Sequence, residues 1–159
     1  MTSQYFSYDK RKVIQALRYH FITRKEIKFI IILVNVFAIV SAILYFFGKI
    51  SALPFLINSV LWFVLMISFW YLLPHGIYRK AATFKDSFQV NFEEHHMFLS
   101  NERGEKSWPW TSFSSWMESP HFFHLYFDSR SFFLLPKEAF EGDDVHEARK
   151  MLKDKIRKS

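Results

Sequence analysis

The chain has 159 residues, of which 50% are hydrophobic and 20% aromatic, and its formal net charge is +6. It contains no cysteine, which excludes a disulfide scaffold, an iron–sulfur cluster, a thiolate zinc site and a cysteine nucleophile. The charge is uneven: residues 1–28 carry seven cations and two anions, whereas residues 79–159 carry thirteen of each. A nucleic-acid-binding domain concentrates its cations on the folded module, so we expect no nucleic-acid partner.

The first segment, residues 1–28, is predicted to be a basic amphipathic juxtamembrane helix. Apolar residues recur at helical spacing between residues 8 and 27, with cations around them. Each cation near an anionic leaflet adds about 1 kcal/mol of attraction. The residues predicted to contact the membrane surface are Lys10, Arg11, Lys12, Arg18, Arg24 and Lys25. Two interpretations stay open: a topology signal with a surface helix, or a specific site for acidic lipid or a partner.

Two uncharged stretches follow, residues 29–47 and 50–73. Nineteen residues of helix extend about 28 Å, close to the ~30 Å hydrocarbon core of a bilayer. Neither stretch has the polar face of a soluble surface helix, and the first is too long and too late for a cleaved signal peptide. Gly48 and Lys49 alone separate them, so we predict an antiparallel transmembrane hairpin over residues 29–73. The cations at its two ends predict that both termini are cytoplasmic.

Small and polar side chains predict where the two helices meet, because such residues mediate helix contacts in lipid. By depth, Asn35 should face Ser68, and Ser41 should face Asn58. The predicted seam comprises Asn35, Ala38, Ser41, Ala42, Asn58 and Ser68. Two helices enclose no pore and hold no ionisable residue here, so a conducting pathway is disfavoured.

After a linker at residues 74–83, the alternation and turn signals of residues 84–159 predict a mostly β domain. Strands are expected at 84–92, 95–100 and 105–110, with Pro109 marking an edge strand. Residues 113–117 form either a strand or a helical turn, and 121–127 pairs with 132–135. A capping box at Asp144–Glu147 predicts a final helix to about Arg157. The predicted fold class is an α+β membrane protein, a two-helix hairpin plus a small cytoplasmic β-sheet or barrel capped by a C-terminal helix, similar to pleckstrin-homology-like (PH-like) domains.

The aromatic residues of this domain exceed what one inward sheet face needs. Both faces of the strand at residues 122–127 are apolar, so either the C-terminal helix covers the second face or the strand docks on the bilayer or a partner. The candidate partner surface comprises Trp108, Trp110, Trp116, Phe122, Tyr126 and Lys137.

The domain shows no pattern that predicts catalysis. In the Glu93–His96 run, alternate residues of a strand face opposite sides, so at most two ligands converge, fewer than a zinc site needs. His121 and His124 also face opposite ways. The serines at 112, 114 and 115 lack a glycine-flanked elbow, and four glycines leave no phosphate-binding loop. We therefore expect no catalytic, cofactor-binding or metal-binding residues.

In order along the chain, several motifs resemble the YcxB-like family of bacterial membrane proteins. They are the basic YDKRKVIQALRYHFITRK segment, the two-span hairpin, Trp108 and Trp110 before TSFSSW, then FFHLYF, and FLLPKEAF at residues 133–140. The resemblance implies a multi-pass protein of the bacterial inner membrane with a PH-like cytoplasmic domain and no established enzymatic activity.

The sequence thus predicts a membrane-tethered, non-enzymatic interaction or regulatory module. The alternatives are an accessory subunit of a membrane enzyme or transporter, or a domain that binds lipid headgroups. The expected partners are the bilayer, anionic headgroups, and an unidentified protein or a second copy of the chain.

Overall fold

The structure, a computed structural model, describes residues 1–156 and divides into two compact units. The domain unit contains Met1–Ala16 together with the chain from Ala81 onward, and the hairpin unit is Leu17–Lys80. Helix α1 (Lys10–Thr23) begins in the first unit and ends in the second. Residues 1–16 therefore fold with the C-terminal domain, although their sequence predicts only a juxtamembrane helix.

The domain unit contains two antiparallel three-stranded sheets. Sheet 1 has the order β1-β2-β3, formed by Gln89–Phe92, His96–Asn101 and Gly104–Pro109. Sheet 2 has the order β4-β5-β6, formed by Ser115–Glu118, Phe122–Tyr126 and Phe132–Pro136. The predicted hairpins are confirmed, and residues 115–118 are a strand. The two sheets do not close into a barrel.

The N-terminal segment, residues 1–6, adds a further edge to sheet 1. Ser3 N–H donates to the Val90 carbonyl at 2.7 Å, and the Val90 N–H donates to Ser3 Oγ at 2.9 Å. Phe6 and Phe88 exchange backbone hydrogen bonds of 2.8 and 2.9 Å. The segment thus satisfies the outer backbone groups of β1, which would otherwise be an open sheet edge.

Two local predictions are wrong. The strand predicted from residue 84 begins at Gln89, because Ala82–Lys85 forms a turn of 3-10 helix. Helix α5 (Asp144–Lys155) starts without a side-chain cap, so Asp144 and Glu147 form no capping box. The Glu147 N–H bonds instead to the Asp143 backbone carbonyl at 3.1 Å. The predicted helix end at Arg157 lies outside the described residues.

The domain core explains the aromatic content. All five residues of β5 are buried, and Trp108 of β3 packs its ring 5.5 Å from Phe127 and 6.4 Å from Phe133. From α5, Ala148 and Leu152 are fully buried. Both apolar faces of β5 are therefore covered within the protein, which decides against external docking of that strand.

The hairpin unit contains two helices that are long and apolar enough to cross a membrane. Helix α2 spans Lys25–Phe46. The second runs from Ala52 to Lys80, as α3 (Ala52–Ile67), a π-helical segment (Ser68–Leu72) and α4 (Leu73–Lys80). Gly48 allows the turn between them with a φ of 64°. Residues 74–80, which belong to the predicted linker, are helical, since α4 continues to Lys80.

The seam between α2 and α3 contains most of the predicted residues but different pairs. Trp62 Nε1 donates to Asn35 Oδ1 at 3.2 Å, and Asn58 Nδ2 donates to the Phe37 carbonyl at 3.4 Å. Ala38 and Ser41 are half-buried beside them, whereas Ala42 is exposed. Ser68 Oγ donates to the Val64 carbonyl of its own helix, so the predicted pairs Asn35–Ser68 and Ser41–Asn58 are wrong.

Because the N-terminal segment completes sheet 1, we expect Phe6→Ala to destabilise the domain. Phe6 is 6% exposed and packs against Tyr8 and Phe88, and removal of a buried Phe side chain costs about 3–5 kcal/mol. Tyr5→Ala is the matched control, since Tyr5 is 62% exposed and surface changes cost roughly 0.5 kcal/mol or less. Denaturant unfolding of the full chain in detergent measures both, and equal effects would contradict the role of this segment.

Candidate functional site

Pro74 removes one backbone hydrogen bond from the second helix, and Arg18 supplies a donor at that place. Proline has no N–H, so Pro74 cannot donate to the Trp70 carbonyl four residues earlier. Arg18 Nε donates to that carbonyl at 2.9 Å. The preceding π-helical segment shifts the backbone pairing, with the Leu73 N–H bonded to the Ser68 carbonyl. A residue of α1 thus donates to a backbone acceptor to which Pro74 cannot donate.

Arg18 also lies over the face of the Trp70 indole, with its guanidinium carbon 4.9 Å from the ring centroid. A cation in this position is attracted to the ring by about 0.5–1 kcal/mol when exposed and by more when desolvated. The hydrogen bond and the ring contact together attach the C-terminal half of α1 to the second helix. The sequence predicts Arg18 only as a surface cation.

Next to this contact is a partly open cavity of about 330 Å³ within the hairpin unit. Its nine described lining residues come from α1, α2 and the second helix, and Arg18 alone among them is charged: Arg18, Phe21, Ile22, Ile27, Ile31, Trp62, Met66, Phe69 and Trp70. Ligand sites in proteins occupy about 300–1,000 Å³, with apolar walls and few polar groups. The cavity is thus large enough for part of an apolar chain.

The hairpin unit, which contains the cavity, carries a strongly positive net charge. The hairpin unit holds seven cations and one anion, Glu26. Six of the cations flank the ends of the hairpin, four before it and two after it, and Lys49 lies in the turn. His20 adds no charge at neutral pH, because burial and the nearby Arg24 cation lower its pKa to about 4.

The six cations predicted to contact the membrane surface fall into two groups. Arg18, Arg24 and Lys25 belong to the hairpin unit, whereas Lys10, Arg11 and Lys12 belong to the domain unit. Lys12 forms an ion pair with Glu138, which raises its pKa. Lys12 therefore connects the first turn of α1 to the segment after β6, both within the domain unit. Its sequence context does not indicate this role.

A cluster of three charged residues joins β4, the segment after β6 and α5. Both oxygens of Glu118 accept hydrogen bonds from Arg149, at 2.9 and 3.0 Å, and Lys137 Nζ lies 2.6 Å from Oε1. These bonds, that from Arg149 foremost, lower the pKa of Glu118 to about 2. Lys137 also lies 5.5 Å from the Phe123 ring centroid. The cluster is an internal connection between elements.

The candidate partner surface is largely buried. Trp110, Trp116, Phe122 and Tyr126 are 5%, 2%, 2% and 8% exposed, and Trp108 is half-buried. The sequence pattern of these residues does not distinguish a surface patch from a core. The elements that cover the two faces of β5 are close in space but distant along the chain. The prediction that this set forms a partner surface is wrong, because four of its members are buried and unavailable for contact.

A buried polar pair lies in sheet 2. His124 Nε2 is 2.9 Å from Ser119 Oγ, and Ser119 Oγ donates to the Phe122 carbonyl at 3.2 Å. Ser119 is 4% exposed and His124 is fully buried, so no substrate reaches the hydroxyl. Within residues 1–156 no group of three potential ligand side chains could hold a metal ion.

One comparison with known proteins finds a match, and the match lies within the domain unit. The family model described as YcxB-like protein matches residues 92–152, the region from the end of β1 into α5. The match covers less than half of the chain and supports the resemblance of this region to that family. Searches of curated proteins and of solved structures found no match.

The Glu118 cluster should make stability depend on pH. The folded-state pKa is depressed, so the stabilisation is present above the unfolded value near 4.5 and is lost as pH falls toward about 2. We expect Glu118→Gln to cost about 1 kcal/mol at neutral pH, below the roughly 1.5–3 kcal/mol of hydrogen bonds to charged groups because the site is partly solvated. Thermal unfolding across this pH range measures the effect. The exposed Glu105→Gln is the control, and an equal pH dependence in both variants would contradict the prediction.

Proposed function

We propose that this protein is a membrane-tethered, non-enzymatic interaction or regulatory module, inserted in the bacterial inner membrane by its helical hairpin. The observation that supports it most is that the domain is built from both chain segments flanking the hairpin. Residues 1–16 and the chain from Ala81 onward fold together. A domain assembled in this way cannot be released from the hairpin by a single cut in a linker and requires both hairpin ends on the same side.

The strand arrangement favours a PH-like domain. With residues 1–6 added to β1, sheet 1 has four strand segments, sheet 2 has three, and the final helix α5 follows. Strands followed by one C-terminal helix are the order on which the similarity to PH-like domains rests. Such domains bind peptides or lipid headgroups, and fold alone does not determine which.

The polar residues of the domain support an interaction role over catalysis. Glu118, Lys137 and Arg149 bond to one another, and the Ser119–His124 pair is sealed in the core. The exposed edge strand β3 carries Glu105, Lys106 and Pro109, which discourage addition of a foreign strand. A partner would therefore be recognised by the loops and the remaining surface of the domain.

Membrane topology is testable because the chain has no native cysteine. We expect Lys49→Cys, in the hairpin turn, to react with a membrane-impermeant maleimide on intact cells. Ser107→Cys, exposed on β3, should react only after permeabilisation, since the proposal places the domain in the cytoplasm. Carbonate washing of the same membranes should leave both variants in the pellet. Labelling of Ser107→Cys in intact cells would contradict the topology.

The interaction role is tested by in-cell cross-linking and affinity purification of the tagged full chain. A partner recognised by the folded domain should be recovered with the parent chain and with Tyr5→Ala. It should be lost with Phe6→Ala, which disrupts sheet 1. A partner recovered equally with both variants would bind elsewhere, and recovery of no partner with the parent chain would count against the proposed role.

A further inference from the structure

We propose that the cavity bordered by Arg18 binds one anionic phospholipid, with an acyl-chain segment among its apolar walls and the phosphate at the arginine. The inference rests on the proposed insertion of the hairpin in a bilayer, which supplies the lipid. It adds a defined site to the general attraction between a basic segment and an anionic surface.

The first argument is the chemistry of the walls. Ile27 and Ile31 of α2 and Met66 and Phe69 of the second helix present hydrocarbon and thioether surface to a cavity of about 330 Å³. A cavity lined by apolar side chains offers water too few hydrogen-bond partners, so water is a poor occupant. A flexible acyl chain fits a narrow, partly open cavity of this size, whereas a whole lipid does not.

The second argument is the position and availability of Arg18. Its Nε–H is used by the Trp70 carbonyl, and its guanidinium is held over the Trp70 ring. A guanidinium has five N–H donors, so this bond leaves the fork able to bind a phosphate by charge-assisted hydrogen bonds. The contacts with Trp70 hold the group at the cavity in advance, which lowers the entropic cost of binding.

The third argument is charge complementarity. The hairpin unit has seven cations against one anion, and Glu26 is 3.9 Å from Arg24. His20 is neutral at physiological pH because its burial lowers its pKa to about 4. The surroundings of Arg18 therefore favour a lipid with net negative charge over a zwitterionic one.

The experiment uses the full chain in phosphatidylcholine nanodiscs with a trace of phosphatidylglycerol that carries a photoactivatable group on its acyl chain. Cross-links are mapped by mass spectrometry. We expect them on α2 near Ile31 and on the second helix near Met66. Unlabelled phosphatidylglycerol should compete about tenfold better than phosphatidylcholine, which corresponds to about 1.4 kcal/mol.

Two pairs of variants separate this site from general attraction. Arg18→Gln should remove most of the preference for the anionic lipid, whereas Lys25→Gln, a cation that does not line the cavity, should keep it. Ile31→Trp should fill the cavity and abolish the mapped cross-links, whereas Ile32→Trp, at a position 53% exposed, should leave them unchanged. The Ile31 pair leaves Arg18 and its contacts with Trp70 in place, so it also tests the site if Arg18→Gln unfolds.

Equal competition by the two lipids, equal effects of Arg18→Gln and Lys25→Gln in folded protein, or equal effects of the two tryptophan variants would each overturn the proposal. Carbonate extraction of the same variants from cell membranes distinguishes failure of the proposed function from failure of the cavity site. Protein that leaves the membrane contradicts the proposed function, whereas protein that stays without a lipid preference contradicts the cavity site alone.

Discussion

The structure depends on the pairing of the N-terminal segment with β1, which joins residues almost ninety positions apart. Without that pairing β1 would expose a row of backbone donors and acceptors, and Val13, Ile14 and Tyr8 would lack a place in the core. A loop of this length costs entropy to close, although the cost rises slowly with length. An antiparallel helical hairpin lowers the cost, because it returns the chain to the end where it began. Formation of the hairpin and completion of the domain therefore favour each other.

A second constraint arises from Pro74. A proline inside a helix removes a hydrogen bond and crowds the preceding turn, at a cost of about 3 kcal/mol. The π-helical segment before it and the bond from Arg18 to the Trp70 carbonyl reduce that cost. The same bond fixes Arg18 at the edge of the apolar cavity. One local defect in the second helix thus explains both the attachment of α1 and the position of the single charged group beside the cavity.

The sequence predicts well those features that depend on neighbouring residues. Alternation and turns locate the hairpins of both sheets, and two uncharged stretches locate the helices.

The sequence predicts poorly those features that depend on residues distant in the chain. Residues 1–6 form a segment too short to be predicted as a strand, because its strand-like pairing depends on β1. Trp116 and Phe122 are wrongly predicted to be on the surface, because the elements that bury them lie elsewhere in the chain. Asn35 and Asn58 form hydrogen bonds between the two helices, yet their partners are Trp62 and a backbone carbonyl, since depth along a helix does not specify rotation. The cavity has no sequence signal at all, because its walls come from three helices and apolar residues occur throughout them.

The distribution of charge separates the roles of the two units. The hairpin unit accounts for the whole net charge of +6, and the remaining residues balance fourteen cations against fourteen anions. In the proposed membrane-inserted state, an electrostatic attraction to anionic lipid would act through the cations of the hairpin unit, and it would weaken beyond about 8 Å at physiological ionic strength. The domain, with no net charge and its ionic groups paired at Glu118 and Lys12, is not drawn to the same surface by long-range forces. Under the proposed function, recognition of a partner by the domain would rest on shape and on short-range contacts.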